Sequence, residues 1–218
     1  MAGAKGRQQA TSADISNPSP PLSRSGLEGL RALTFFRTRD ATELGVHSRV
    51  LRRLVDQGAV ERVVRGLYRF TEAEITEHHT KAAVCLRVPS AIVCLLSALT
   101  IHNIGTQLPH QVWIAIPHKA RTPRLPTLPV RIVRFSGASL TYGVQHTEFE
   151  GVPARVTSPA RTIVDCFRFR RLVGKDVALE ALSDAFHERK ATFDEIWRAA
   201  EVCRAKSLVG PAMEVLSA

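Results

Sequence analysis

Cysteine is scarce and scattered in this chain: Cys85, Cys94, Cys166 and Cys203 are the four among 218 residues. There is no Cys-x-x-Cys pair and no histidine at a zinc-ligand spacing, so the thiols read as small core residues in a reducing compartment rather than as metal ligands. Long apolar runs are also missing. No segment approaches the ~20 apolar residues of a membrane span, and the N-terminus lacks the apolar run of a signal peptide, so a cytoplasmic protein without membrane association is expected. No Gly-x-Ser-x-Gly motif, phosphate-binding loop or internal repeat is present. Acidic residues are outnumbered, 20 against 30 Lys and Arg, which leaves a net charge of +10. That balance suits a polyanionic partner without proving one. The excess is uneven: residues 1–70 hold 12 Lys and Arg against 6 Asp and Glu, and residues 71–218 hold 18 against 14.

What is present is concentrated in residues 38–70, TRDATELGVHSRVLRRLVDQGAVERVVRGLYRF. Thr38 can cap a short helix over 39–44, and Gly45 and Val46 supply a tight turn. A second helix follows over about 48–57. In it Leu51, Leu54 and Val55 fall at i, i+3 and i+4 and form an apolar stripe, while Ser48, Arg49, Arg52, Arg53 and Asp56 fall on the opposite face. Gly58 sits where a helix end needs positive φ, residues 60–64 read as a β-branched strand, and Arg65 and Gly66 turn it back into residues 67–70. Helix, turn, helix, glycine stop and basic hairpin in this order predict a winged helix-turn-helix. In such a unit His47, Ser48, Arg49 and Arg52 are placed to meet base edges in the major groove, and Arg53, Arg62 and Arg65 to meet phosphates. The competing reading is a helix-turn-hairpin that is merely solvated or that docks a protein.

The length allows one large or two small domains, and the pattern favours two. Residues 1–25 are rich in Ala, Gly, Gln, Ser and Pro and are expected to form a disordered tail. Leu27, Leu30 and Leu33 have helical spacing, and Phe35 and Phe36 are expected to close the core of the first domain. A polar stretch near residue 75 ends that domain. Beyond it the spacing predicts a helix over 75–86, a buried helix over 91–101 capped by Pro89 and Ser90, and an interior strand over 111–116. A proline-rich loop over 118–129 exposes Lys119, Arg121 and Arg124. Strands are expected at 130–135, 143–149 and 152–156. Ser158 and Pro159 then start a helix at its N-cap and first position. Further helices are expected at 176–188, at 193–206 with Thr192 as cap, and at 209–216. The fold class is therefore α+β in two domains: a winged helix-turn-helix over 26–75, then an α/β domain over 76–218 with a small central mixed sheet and C-terminal helices.

Chemistry in the second domain has few candidates. Asp165 and Arg161 could be a catalytic pair, but charges at i, i+4 on a helix are usually a local salt bridge. Glu188 and Lys190 match half of a nuclease signature, yet they end a predicted helix instead of lying on a strand beside a second acid. His78, His79, His102 and His110 lack partners for a metal. No catalytic residue, metal site or cofactor is assigned.

Taken together, these residues resemble the AbiEi-type antitoxins, transcriptional regulators encoded beside nucleotidyltransferase-like toxins. The resemblance covers about residues 27–205. It rests on Gly45 and Val46, on Leu54, Val55, Asp56, Gln57 and Gly58, and on Arg65, Gly66, Leu67, Tyr68 and Arg69. In the second domain it rests on Leu96, Ser97, Ala98, Leu99 and His102, on Pro109 before the strand at 112–117, and on Ser158, Pro159, Ala160, Arg161, Thr162, Ile163, Val164 and Asp165. The resemblance implies that the winged domain binds promoter DNA and represses its own operon, while the second domain counters a cognate nucleotidyltransferase-like toxin. Direct binding, action on the toxin's target and a change in the toxin's modification are all open as the means, as is the oligomeric state. The alternative is a DNA-binding transcription factor or repair nuclease with an independent effector or catalytic domain.

Overall fold

The computed structural model describes residues 24–73 and 76–217. The tail expected over 1–25 lies outside this range except for Arg24 and Ser25, which begin the first helix, and so does the expected boundary at 75. The chain is mixed α/β with two sheets. The first part runs α1 (Arg24–Arg31), β1 (Phe36–Arg37), α2 (Thr38–Glu43), α3 (Ser48–Asp56) and the hairpin β2 (Val60–Val64) and β3 (Leu67–Phe70). The three strands form an antiparallel sheet in the order β1-β3-β2, with a bulge between Arg62 and Val64. Gly45 at φ +77° and Gly58 at φ +72° occupy the left-handed region that a side chain resists, which is why each ends the helix before it. Leu30, Phe36, Ala41, Val46, Leu51, Val60 and Phe70 form the core of this part.

Thr38 is the first residue of α2 and not its cap; the Asp40 carboxylate accepts the Arg37 backbone N–H at 2.6 Å and closes the helix start instead. Leu33 lies beyond the end of α1 and is 40% exposed, so it does not join the core.

The second part runs α4 (His79–Arg87), β4 (Ile92–Val93), α5 (Leu95–His102), β5 (Val112–Pro117), β6 (Val130–Phe135), β7 (Val144–Phe149) and β8 (Val152–Thr157). It ends in five helices, α6 (Pro159–Arg168), α7 (Arg170–Val173), α8 (Lys175–His187), α9 (Phe193–Val202) and α10 (Lys206–Ser217). The sheet order is β6-β5-β4-β8-β7. β5–β6 and β4–β8 are parallel, and β4–β5 and β7–β8 antiparallel. The helix expected over 91–101 is thus divided. Ile92 and Val93 form the middle strand of the sheet, and the helix starts only at Leu95. A short apolar run carries no period that separates buried helix from buried strand, and here pairing with β5 and β8 decides it. The helix expected over 193–206 likewise ends at Val202, and the last helix begins earlier, at Lys206. Helix α7 and a 3-10 turn over Gly137–Leu140 had no sequence signal strong enough to place them.

Alternation along β5 sorts the interior into two layers. Trp113 and Ala115 face α5, α6 and the C-terminal helices, while Val112, Ile114 and Ile116 face α4. The α4 layer also holds Phe35, Val64 and Leu67, which belong to the first part of the chain. Arg37 reinforces the join by donating from Nη2 to the Leu86 carbonyl at 2.6 Å. The two parts therefore share a layer: Phe35, expected to close the core of the first domain, lies with Val64 and Leu67 under the five-stranded sheet, and Phe36 alone of that pair stays in the first core. Leu67→Ala removes a side chain that is 3% exposed and should cost about 2–5 kcal/mol. Urea unfolding followed by circular dichroism should show one transition at lower denaturant, whereas loss of only an early, partial transition would show that the two parts do not share that layer.

Candidate nucleic-acid interface

Helix α3 is held by its apolar side, with Leu51 buried and Val50, Leu54 and Val55 partly buried against the first core. Its N-cap His47, with Ser48, Arg49, Arg52 and Arg53, is exposed. On the hairpin, Arg62 and the turn residue Arg65 are exposed as well. A hollow of about 520 Å³ opens between helix and hairpin, lined by Ser48, Arg49, Arg52, Arg62 and one acid, Asp56, and also by Thr38 and Tyr68. Four of the seven expected contact residues therefore meet around one concave surface. His47, Arg53 and Arg65 do not line it, and Arg65 instead borders a separate hollow that Arg62 also touches. Thr38 and Tyr68 were not picked out in the sequence; the alternation that buries Leu67 and Arg69 is the signal that points Tyr68 the other way.

The arginines of this region divide by environment. Arg69 is 4% exposed, pairs through Nε with Glu61 and donates from Nη1 to the Ala73 carbonyl at 3.0 Å, so it locks the base of the hairpin. Arg49, Arg52, Arg53, Arg62 and Arg65 have no acidic side chain within ion-pair distance among the described residues. Unpaired guanidiniums on a concave surface leave their donors free for an anionic ligand.

Residues 31–71 match the family model of the AbiEi antitoxin transcriptional regulators. This segment is AbiEi-like. The AbiEi-like segment contains α2, α3 and the hairpin, and with them every residue lining the 520 Å³ hollow. No curated protein matches the chain. Among solved structures the chain is similar to the RV2827C protein from Mycobacterium tuberculosis, at 18% identity and a TM-score of 0.61, over 86% of this chain and 76% of that one. That likeness carries the fold well beyond the AbiEi-like segment.

Arg161 and Asp165 are both fully buried and paired at 2.9 Å, and Arg168 adds a second guanidinium to Asp165 at 2.6 Å. Arg161 also donates from Nη1 to the Tyr142 carbonyl at 2.7 Å and from Nη2 to the Ser139 carbonyl at 3.0 Å, and its guanidinium lies 5.0 Å from the Phe135 ring centre. Burial pushes the Asp165 carboxyl up, and the two arginines pull it down. The pair ties α6 to the 3-10 turn and the segment before β7, so the local salt bridge expected from the spacing is a buried tertiary clamp. Glu188 and Lys190 lie 3.5 Å apart just past the end of α8, where the sequence reading put them. His102 donates from Nε2 to the Thr157 carbonyl at 2.7 Å, and burial lowers its pKa. His79 stacks on Phe35 and sits 3.2 Å from Glu150. No group of three His, Cys, Asp or Glu residues that could hold a metal ion occurs among the described residues, and no helix among them is long and apolar enough to cross a membrane. The four cysteines are free and buried; burial pushes the Cys85 thiol up to about 11 and raises Cys94, Cys166 and Cys203 as well.

Removing Arg161 leaves the buried Asp165 carboxylate with Arg168 as its one cation and strands the Tyr142 and Ser139 carbonyls. Arg161→Ala should therefore lower stability by about 3–5 kcal/mol, while the fraction that remains folded should keep its affinity for nucleic acid. Denaturant titration and a binding isotherm corrected for folded protein test both points. Near-native stability combined with lost function would instead give Arg161 a role at a working site.

Proposed function

We propose that this protein is a DNA-binding antitoxin that represses its own operon and counters a cognate nucleotidyltransferase-like toxin. Residues 26–75 act in this reading as a winged helix-turn-helix, and residues 76–218 as the neutralising domain. The observation that carries the proposal is the set of unpaired, exposed arginines Arg49, Arg52 and Arg62 around one hollow, within the segment that matches the AbiEi antitoxin regulators. An exposed helix face held at a fixed angle by a packed apolar stripe is what insertion into a major groove requires. His47, Ser48, Arg49 and Arg52, at the N-terminal end of α3, then face the bases. Arg53, Arg62 and Arg65 contact phosphates, which set register without reading sequence. The protein works in this reading without a catalytic residue or a cofactor.

Affinity for a duplex taken from upstream of its own gene should fall steeply with salt, by about 0.9 in log–log slope for each phosphate contact. Arg49→Ala and Arg52→Ala should each reduce discrimination between that duplex and an unrelated one by about 1–3 kcal/mol. Arg65→Ala should weaken both duplexes alike. Fluorescence anisotropy across a salt series measures all of these, and equal, sequence-independent losses at the three arginines would show that α3 is not the reading element.

The two activities are best separated in the full chain, because Phe35, Val64 and Leu67 are shared between the parts. A full-length Arg49→Ala/Arg52→Ala variant, expressed from an independent promoter, should still protect cells from the adjacent toxin while no longer repressing the operon. Loss of protection in that variant would place neutralisation in the DNA-binding part.

A further inference from the structure

The basic surface does not end at the hairpin. Arg62, which borders the 520 Å³ hollow, also borders a second hollow of about 240 Å³ together with Arg65, Arg87 and Arg124. Arg87 lies in the last turn of α4, and Arg124 in the proline-rich loop between β5 and β6. Both come from the half of the chain outside the AbiEi-like segment. All four guanidiniums are exposed, none has an acidic partner among the described residues, and the lining includes no carboxylate. Four like charges around one hollow repel one another in the free protein, and a polyanion relieves that repulsion.

The loop that carries Arg124 is built to hold it still. Arg134, on β6, donates from Nη1 to the carbonyls of His118 at 2.6 Å and Ala120 at 2.9 Å, and from Nη2 to Thr122 Oγ1 at 2.9 Å. At the other end Leu125 and Leu128 pack against the apolar layer under the sheet. Pro123, Pro126 and Pro129 further restrict the backbone between these anchors. A cation on a fixed loop loses little freedom on binding, unlike one on a flexible tether.

We propose that Arg87 and Arg124 bind the phosphate backbone of the same duplex that α3 reads, with Arg134 as the positioning residue for the loop. This rests on the DNA-binding reading above. The second half of the chain thereby lengthens the DNA footprint beyond the hairpin and adds affinity without adding sequence information.

The test uses the full chain, a duplex from upstream of its own gene and an unrelated duplex of equal length. Arg87→Ala/Arg124→Ala should lower the slope of log affinity against log salt by roughly two, about 0.9 per contact, and equally for both duplexes. Hydroxyl-radical footprinting should show protection lost at one end only. Thermal melting should be unchanged, since both side chains are exposed. Arg134→Ala should produce part of the slope change, and Arg134→Lys should not restore it fully, because an ammonium cannot span the same acceptors. An unchanged slope and footprint in the Arg87/Arg124 variant, with discrimination still lost in Arg49→Ala/Arg52→Ala, would overturn this inference and leave the DNA-binding reading standing. Binding of inorganic phosphate abolished by the double substitution while duplex affinity is retained would mark a small-anion site and overturn it too. Failure of the unaltered protein to bind either duplex would remove both.

Discussion

The five-stranded sheet has two apolar faces, and its own C-terminal helices close only one of them. Val112, Ile114 and Ile116 on β5 and Val152, Ala154 and Val156 on β8 point into the other layer. Helix α4, one layer of nine residues, closes part of it. The remainder is met by Phe35, Val64 and Leu67 from the N-terminal part of the chain, all at most 9% exposed. Burying side chains of this size is worth about 1.5–3 kcal/mol each as an upper bound. Three of them are comparable with the lower end of the ~5–15 kcal/mol by which whole domains are stable. The position of the arginine-bearing hairpin is thus a consequence of core formation, and the alignment of Arg62 and Arg65 with Arg87 and Arg124 follows from the same packing.

Charge is handled in opposite ways on the two sides of that packing. Arg161 is buried with Asp165, two carbonyls and an aromatic face, so each of its three side-chain nitrogens donates inside the protein. Arg69 is likewise committed to Glu61 and Ala73. Arg62 and Arg65 on the same hairpin, by contrast, have no acidic partner among the described residues. Committed arginines fix geometry, and uncommitted ones supply a field at the surface. Every arginine in a basic chain cannot be counted toward binding; partners decide which of them face outward.

Much of this architecture could be read from local signals. Gly45 and Gly58 ended helices because their φ is positive, Ser158 and Thr192 capped the helices that follow them, and alternation along residues 130–135 gave a half-buried strand. The stripe of Leu51, Leu54 and Val55 correctly predicted which side of α3 is outward, and so the surface on which Arg49 and Arg52 lie. What was not legible depends on pairing between distant segments. Ile92 and Val93 became a strand because β5 and β8 flank them, which no local period records. Leu67 alternates as any hairpin residue does, and nothing near it in sequence says that the layer it enters lies beyond residue 75. The loop arginine Arg124 was visible as exposed and basic, but its neighbour across the hollow, Arg62, is more than sixty residues away. Charge composition records such residues without recording which of them meet.

The shared layer also sets what one activity can do to the other. A hairpin packed against α4 moves only if that packing changes, and close-packed interiors shift between discrete arrangements and do not deform smoothly. A partner bound to the second part alters DNA affinity to the extent that it binds one arrangement of this layer better than another. The same factor must then act in reverse, so that DNA alters affinity for that partner equally. A partner that contacts only the outer faces of α8 and α9, on the far side of the sheet, leaves Phe35, Val64 and Leu67 where they are and leaves DNA affinity unchanged. One that contacts α4, or the loop held by Arg134, acts on residues that border the basic surface itself. Coupling between the two proposed activities, repression and neutralisation, is therefore a question of which side of the five-stranded sheet the partner occupies.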